Sequence, residues 1–331
     1  MVYVYRKIRG DKTYYYLRIS KKNGLKKVEK DLAYLGNSID EARKKFPGIA
    51  KQKQEIRKSY KKINLLLENE YYLDKIKKLK LKKDDYLQDK QTDIEACKLH
   101  YSKEFKKLDS NTQKDILENF SIEFAYNTTS LEGNTITLNE AKKFFEEGRT
   151  PANRELREIY DLKNTKEVLL WLVYENKAIT HKLIEEIHAK LMKDIDARIG
   201  YRTKDVRVFK SHFDASPGIY VKTDMDILLK WYNENKSELH PFALACMFHH
   251  KFEKIHPFFD GNGRTGRMLM NYILIRAGYP PSVIYKKNRI DYLDALASAD
   301  KIDISKSDLK YRKLIGYIAD ESISSYWNLF L

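Results

Sequence analysis

A mainly α-helical protein with a small β-meander at its N-terminus is what this sequence predicts. Apolar residues recur at helical spacing through most of the chain beyond residue 109, whereas alternating runs of Tyr and Val are confined to residues 2–36. Gly133, Gly278 and Pro241 fall at the edges of the helical patterns, where glycine ends helices and proline starts them. Hydrophobic residues make up 42% of the 331 and charged residues 33%, a balance that describes a globular chain.

In order along the chain, VYVYRKI, TYYYLRIS and KKVEKDLAYLG read as three strands separated by the turns RGDK and KKNG, giving a basic β-meander over residues 1–37. Its tyrosines are read as the apolar face of the sheet, in preference to a surface that stacks bases. Residues 38–108 are lysine-rich with scattered Ile, Leu and Tyr and read as a helical linker region, with Pro47 and Gly48 as its clearest break. Residues 109–331 form a third region. Its first helix, about 110–132, opens with a capping-box spacing of Ser110 and Gln113 and ends at Gly133. Thr128 and Glu132, four residues apart, lie on one face of it. Further helices are expected at 138–147, 154–175, 179–194, 223–235, 241–255, 263–277 and 289–299, with one or two more before the C-terminus. Between residues 201 and 222, Val206 and Val208 alternate on one side of a polar turn and Ile219 and Val221 on the other, a pattern that predicts a β-hairpin.

Composition excludes several classes. The longest apolar run, Val168–Tyr174, is far too short to cross a bilayer, and the N-terminus lacks the apolar core of a signal peptide, so a cytoplasmic address without membrane contact is expected. Cys97 and Cys246 are isolated, without metal or redox spacing, and read as buried thiols. The net charge of +16 is concentrated at one end: residues 1–90 carry 26 Lys and Arg against 12 Asp and Glu. That excess fits solvated lysine-rich helices or an anionic partner such as nucleic acid.

Chemistry gathers in one stretch, HPFFDGNGRTGR at residues 256–267. Pro257 ends the preceding helix, Gly261, Asn262 and Gly263 make a tight turn, and a new helix starts near Arg264. Free amides at a helix N-terminus, opened by glycines, form an anion site. Arg264 and Arg267, three residues apart on the first turn, add two guanidinium groups over the same spot. Asp260 beside an anion is tolerable with a divalent cation between them, which is the usual arrangement for Mg²⁺ held by a carboxylate and phosphate oxygens. His256 is placed to take a proton from an attacking hydroxyl. The composite points to phosphoryl or nucleotidyl transfer. His249, His250 and His256 do not share a helix face and do not read as a metal triad.

These twelve residues resemble the HPFx(D/E)GNGRxxR signature of Fic (filamentation induced by cAMP) domain proteins, with every defining position filled, and the similarity extends from about Thr128 to Arg289. The resemblance implies a Fic-type helical bundle with the hairpin as a flap over the nucleotide, and transfer of AMP from ATP to a Ser, Thr or Tyr hydroxyl of a target protein. It implies His256 as the general base, Asp260 as the Mg²⁺ ligand, and Gly261, Asn262 and Gly263 as the anion hole. Arg264 and Arg267 would hold phosphates and Tyr292 would lie at the nucleotide. Where relatives carry a helix asparagine near adenosine, this sequence has Asp300. Thr128 to Gly133 also resembles the family's inhibitory motif (S/T)xxxE(G/N), which implies a bidentate pair of Glu132 with Arg267 that competes with ATP. Removal of AMP by the same site, self-modification, a homodimer, and a nucleic-acid-binding role for residues 1–90 are the further expectations.

Overall fold

The computed structural model describes residues 1–23, 26–206 and 215–331, and its backbone divides into two compact units. The first comprises Met1–Lys82 with Glu95–His100 and Leu331, and the second comprises Lys83–Ile94 and Tyr101–Phe330.

In the first unit, β1 (Val2–Arg9), β2 (Lys12–Asn23) and β3 (Lys26–Gly36) form an antiparallel meander in which β2 is central. Side chains alternate across a sheet, and Val4 opposite Leu17 sets the inner face. That face, with Val2, Leu17 and Leu35, packs on Ile39, Ala42 and Phe46 of α1 (Ile39–Gln52) and on Ile63 and Leu67 of α2 (Tyr60–Lys78). Sheet and helices therefore share one core, and the meander is not a free-standing element. Two readings change here. Pro47 lies inside α1 rather than breaking it: burial of Phe46 and its neighbours, about 1.5–3 kcal/mol per large side chain, offsets the roughly 3 kcal/mol cost of an interior proline. The tyrosines, moreover, are not the core face. Of the run Tyr14, Tyr15 and Tyr16, only Tyr15 is in phase with Leu17 and packs on the core, while the others alternate to the opposite side.

The second unit follows α3 (Gln91–Lys103), whose residues are divided between the two units, and begins its main helices with α4 (Ser110–Leu131). Asp109, not Ser110, caps α4, because its carboxylate accepts from the amides of Asn111 and Thr112 at 3.1 and 3.0 Å. Then come α5 (Leu138–Glu147), α6 (Leu156–Tyr174), α7 (His181–Leu191), α8 (Val221–Asn235), α9 (Pro241–Ile255), α10 (Asn262–Arg276), α11 (Arg289–Ala297) and α12 (Arg312–Leu329). Helices α9 and α10 are buried on nearly every side, from Phe242 to Phe252 and from Asn262 to Leu274, as expected of central helices. Around them pack α4, α6, α7, α8 and α12. The loop joining α9 to α10 is the predicted site, so its backbone is fixed at both ends by the two most buried helices of the unit.

The predicted hairpin differs. Val208 lies outside the described residues, Val206 is not in a strand, Ile219 sits in a single 3₁₀ turn and Val221 opens α8. The described residues contain no sheet beyond the N-terminal one. What joins the two sides of this segment is close backbone approach: the Gly218 amide donates to Asp205 at 2.7 Å, and a Cβ on Gly218 would strike the Lys204 backbone at 2.6 Å. Among the described residues no helix is long and apolar enough to cross a membrane.

Leu17 is fully buried at the centre of the first unit's core. Leu17→Ala is expected to cost about 2–5 kcal/mol, read as faster hydrogen exchange of the strand amides.

Candidate active site

Helix α9 stops at His256 because Pro257 excludes helical geometry from the residue before it. His256 takes a left-handed conformation, φ +54°, a strained choice for a residue with a Cβ. Arg202 holds it there. Its Nε donates to the His256 carbonyl at 2.8 Å, Nη2 to that of Ile255 at 3.3 Å and Nη1 to that of Lys204 at 2.9 Å, while the Arg202 amide donates to Pro257 O at 2.9 Å. The His256 ring lies 3.4 Å through Nδ1 from Glu253 O. Burial drives its pKa down to about 4, against an upward pull from that carbonyl, so the imidazole is neutral at neutral pH and able to accept a proton.

Across the loop, the Asn262 side chain both accepts from Phe258 N and donates to Phe258 O, each at 2.9 Å, and so closes residues 258–262 into a ring. Its amide group is thus spent on the loop, and what Asn262 offers a ligand is its backbone at the start of α10. Phe258 stacks on His188 of α7 with ring centroids 3.6 Å apart, and His188 Nε2 meets Asp260 O at 3.0 Å. Gly261 turns the chain at φ +76°, and any side chain there would run into Met192 Sδ at 2.7 Å. The result is a helix N-terminus that starts from a rigid turn.

Four side chains cross-link this turn to α6. Arg157 pairs with Asp260 and Asp161 with Arg264, and Arg264 also reaches Asp260 at 3.3 Å. Arg157 and Asp161 are one helical turn apart on α6 and meet, respectively, Asp260 of the turn and Arg264 of the first turn of α10. Burial lowers the Arg264 pKa to about 10, which still leaves it charged.

Arg267 is held by α4. Its Nε donates to Thr128 Oγ1 at 2.6 Å, and Nη2 donates to Glu132 Oε1 at 2.6 Å and to the Thr128 carbonyl at 3.1 Å. The expected pairing is present but is not bidentate: Nη2 alone reaches Glu132, shared with the Thr128 carbonyl, while Nε serves the Thr128 hydroxyl. The Glu132 carboxylate is packed against protein, which disfavours its charged form, yet 44% of the side chain remains solvent-accessible. Dehydration is therefore incomplete, and attraction to Arg267, then to Arg264, holds the carboxyl below its usual range. The carboxylate also lies over Gly263: a Cβ there would collide with it, and would come within 3.0 Å of Arg267 Nη1. An acidic group thus occupies the approach to the anion site.

The structure brings His256, Asp260, Gly261, Asn262, Gly263, Arg264, Arg267, Thr128 and Glu132 into one cluster. Tyr292 is present differently. Its ring is buried and its hydroxyl is engaged by His249 Nε2 at 2.6 Å, so it supports the interior beside Arg267 instead of facing an entering ligand. Asp300 is likewise spent on His250, at 3.1 Å. Sequence reasoning missed Arg157, Asp161, His188 and Arg202. For the α6 pair the four-residue spacing was an available signal, but for Arg202 and His188 nothing local marked them.

Arg202→Ala would strand the carbonyls of Ile255, His256 and Lys204, at about 1–3 kcal/mol for a buried unsatisfied group. The variant is expected to melt lower than the parent. Arg202→Lys should recover only part of the loss, because an ammonium lacks the fork that spans these carbonyls.

Comparison with known proteins agrees with this geometry. Residues 178–274, which span α7 to α10 and contain the whole loop, match the Fic/DOC family. The chain is 34% identical over 209 residues to the protein adenylyltransferase Fic of Culex quinquefasciatus, and 33% over 204 residues to that of Drosophila virilis. Those stretches are 60% and 59% of this chain and 39% and 40% of the relatives, so the chain spans about two-fifths of the curated relatives it matches. A Fic domain containing signaling protein from Bacteroides thetaiotaomicron superposes with a TM-score of 0.65 at 26% identity, over 72% of this chain and 96% of that one. Fic-1 from C. elegans superposes at 0.58 with 20% identity, over 88% and 81%, and shows the fold alone. In sequence, in fold and in the complete loop, residues 178–274 of this chain are therefore similar to the Fic/DOC family.

Proposed function

We propose that this chain is an autoinhibited protein adenylyltransferase, transferring AMP from ATP to a Ser, Thr or Tyr hydroxyl of a protein, its own included. The observation that carries the reading is the clamp of Thr128 and Glu132 on Arg267, set directly over the α10 N-terminus.

In the proposed reaction the target hydroxyl oxygen attacks the α-phosphorus of ATP, and a P–O bond forms to it. The bond to the bridging oxygen breaks, and pyrophosphate leaves. His256, neutral because it is buried, accepts the hydroxyl proton. The amides at the start of α10 face the α-phosphate charge, and Arg264 and Arg267 hold the outer phosphates in their charged forks. A magnesium ion fits this donor set only together with phosphate, since Asp260 is a lone carboxylate and the described residues hold no cluster of three metal-ligating side chains. Asp260 would hold it once Arg157 gives way, and the ion would neutralise charge on the phosphates.

While Glu132 holds Arg267, a phosphate meets a carboxylate where it needs a guanidinium. Glu132→Gly is therefore expected to raise label transfer from ATP labelled at the α-phosphate by at least tenfold, with the chain itself as acceptor, and Glu132→Gly/His256→Ala should abolish it. An unlabelled Glu132→Gly protein that still binds ATP would rule the transfer reading out. Because His256 must be unprotonated, the rate of the Glu132→Gly variant should stay flat through the neutral range and fall only as pH drops toward about 4. Losing Glu132, whose charge raises the His256 pKa, moves that fall to lower pH still.

A second reading is favoured by the nearness of the charged Glu132 to His256: with AMP already on a target hydroxyl, the carboxylate could orient a water for hydrolysis. On pre-modified protein, Glu132→Gly would then lose AMP release rather than gain transfer.

A further inference from the structure

We propose that the outer face of the N-terminal sheet binds single-stranded nucleic acid, with tyrosines stacking on bases and cations at the β1–β2 end holding the phosphates.

Charge is the first observation. Residues 1–82 carry 24 Lys and Arg against 9 Asp and Glu, while the other 249 carry 39 against 38. Nearly the whole net charge of +16 therefore belongs to the first unit, and a chain that merely used lysine for solubility would spread it.

The second observation is what alternation puts on the sheet's outer side. Tyr5, Tyr16 and Tyr34 stand in one row across β1, β2 and β3, and the rings of Tyr16 and Tyr34 are 5.1 Å apart. In the next row Lys7 lies opposite Tyr14, and beyond it Arg9 lies opposite Lys12. The unit's core is complete on the inner side with Val2, Leu17, Leu35 and the helices, so these rings are not needed to fill it. Tyr34 is 44% exposed and Tyr14 and Tyr16 are half-buried, which leaves ring surface open.

The face is not uniform. Toward its other end Arg18 covers Tyr5 at 3.5 Å and is held by Asp31 at 2.7 Å, with Glu29 beside it. That end supplies neither a free cation nor a bare ring. Lys7, Arg9 and Lys12 differ: among the described residues none has an ion-pair partner, and the nearest carboxylate in sequence is the exposed Asp11 of the turn. Three aromatic rings bordered by three unpaired cations match the alternation of base and phosphate along a single strand. Duplex bases are stacked on one another and offer no ring face to a flat sheet, so a duplex would use the cations and leave the tyrosines idle. An acidic polypeptide would do the same.

The test is fluorescence anisotropy of the full chain with a labelled oligothymidine, a duplex of the same length and a labelled polyglutamate, over a range of KCl. Tighter binding of the single strand, falling linearly on a log–log salt plot, is expected. Tyr16→Ala and Tyr34→Ala should each weaken it roughly 5- to 100-fold without changing the salt slope, and the Phe substitutions should retain it. Lys7→Ala/Lys12→Ala should make the slope shallower. Equal or tighter binding of the duplex or polyglutamate, or indifference to the tyrosine variants, overturns the proposal. A readout that needs no variant is photocrosslinking of iodouridine oligonucleotide to the parent chain: adducts on Tyr14, Tyr16 or Tyr34 support this face, and adducts confined to the lysine-rich helices overturn it.

Discussion

Arg267 is the hinge of the candidate active site, because a buried guanidinium must be matched wherever it goes. It is 3% exposed and cannot lose its charge, so an unpaired state would cost several kcal/mol. In this conformation the match is Glu132, with Thr128 supplying two further acceptors. The nearby Glu253 is no substitute. Burial in a site with no hydrogen-bond partner for its Oε1 pushes its pKa to about 8, so it is mostly protonated at neutral pH. One exposed-edge carboxylate thus carries the whole charge balance of the arginine, and its removal creates a demand for another anion.

The same logic explains the ladder between α6 and the loop. Asp260 in the turn and Arg264 in the first turn of α10 stand beside each other, and Arg157 and Asp161 stand four apart on α6, so each charge finds its opposite across the two elements. The loop is thereby neutralised in the absence of ligand. A nucleotide would not enter an empty site but displace carboxylates from arginines one pair at a time, trading one charge-assisted hydrogen bond for another at small net cost.

What the sequence disclosed follows from locality. Residues 256–267 were legible because base, carboxylate, glycines and arginines are neighbours in the chain, and the long helices because their apolar period is strong. Where two signals of equal kind lay side by side, the reading slipped: Asp109 and Ser110 are both capping types, and only geometry shows that the Asp carboxylate reaches two amides. Pro47 obeyed burial over local propensity, and the alternation at Ile219 and Val221 was too short to tell a strand from the entry to a helix. Arg202 and His188 were illegible for a different reason. They act on residues 54 and 72 positions away, through backbone carbonyls that no side-chain pattern announces.

Under the proposed function, reversibility of the block depends on how its strength is divided. A fully buried, bidentate carboxylate on Arg267 would be costly to withdraw, since both partners would be left dehydrated. Here the pair has one nitrogen–oxygen contact, and its carboxylate side chain is nearly half exposed, so Glu132 can pass to water without first being rehydrated from a closed cavity. Thr128 stays behind on a more interior turn of α4, with its hydroxyl still on Arg267 Nε. It orients the guanidinium without neutralising it. Departure of Glu132 would therefore leave an arginine that is already aimed and newly uncompensated beside the open amides of α10, the state in which a phosphate binds most strongly. The small share of the clamp that carries charge sets the affinity, and the larger neutral share keeps the geometry.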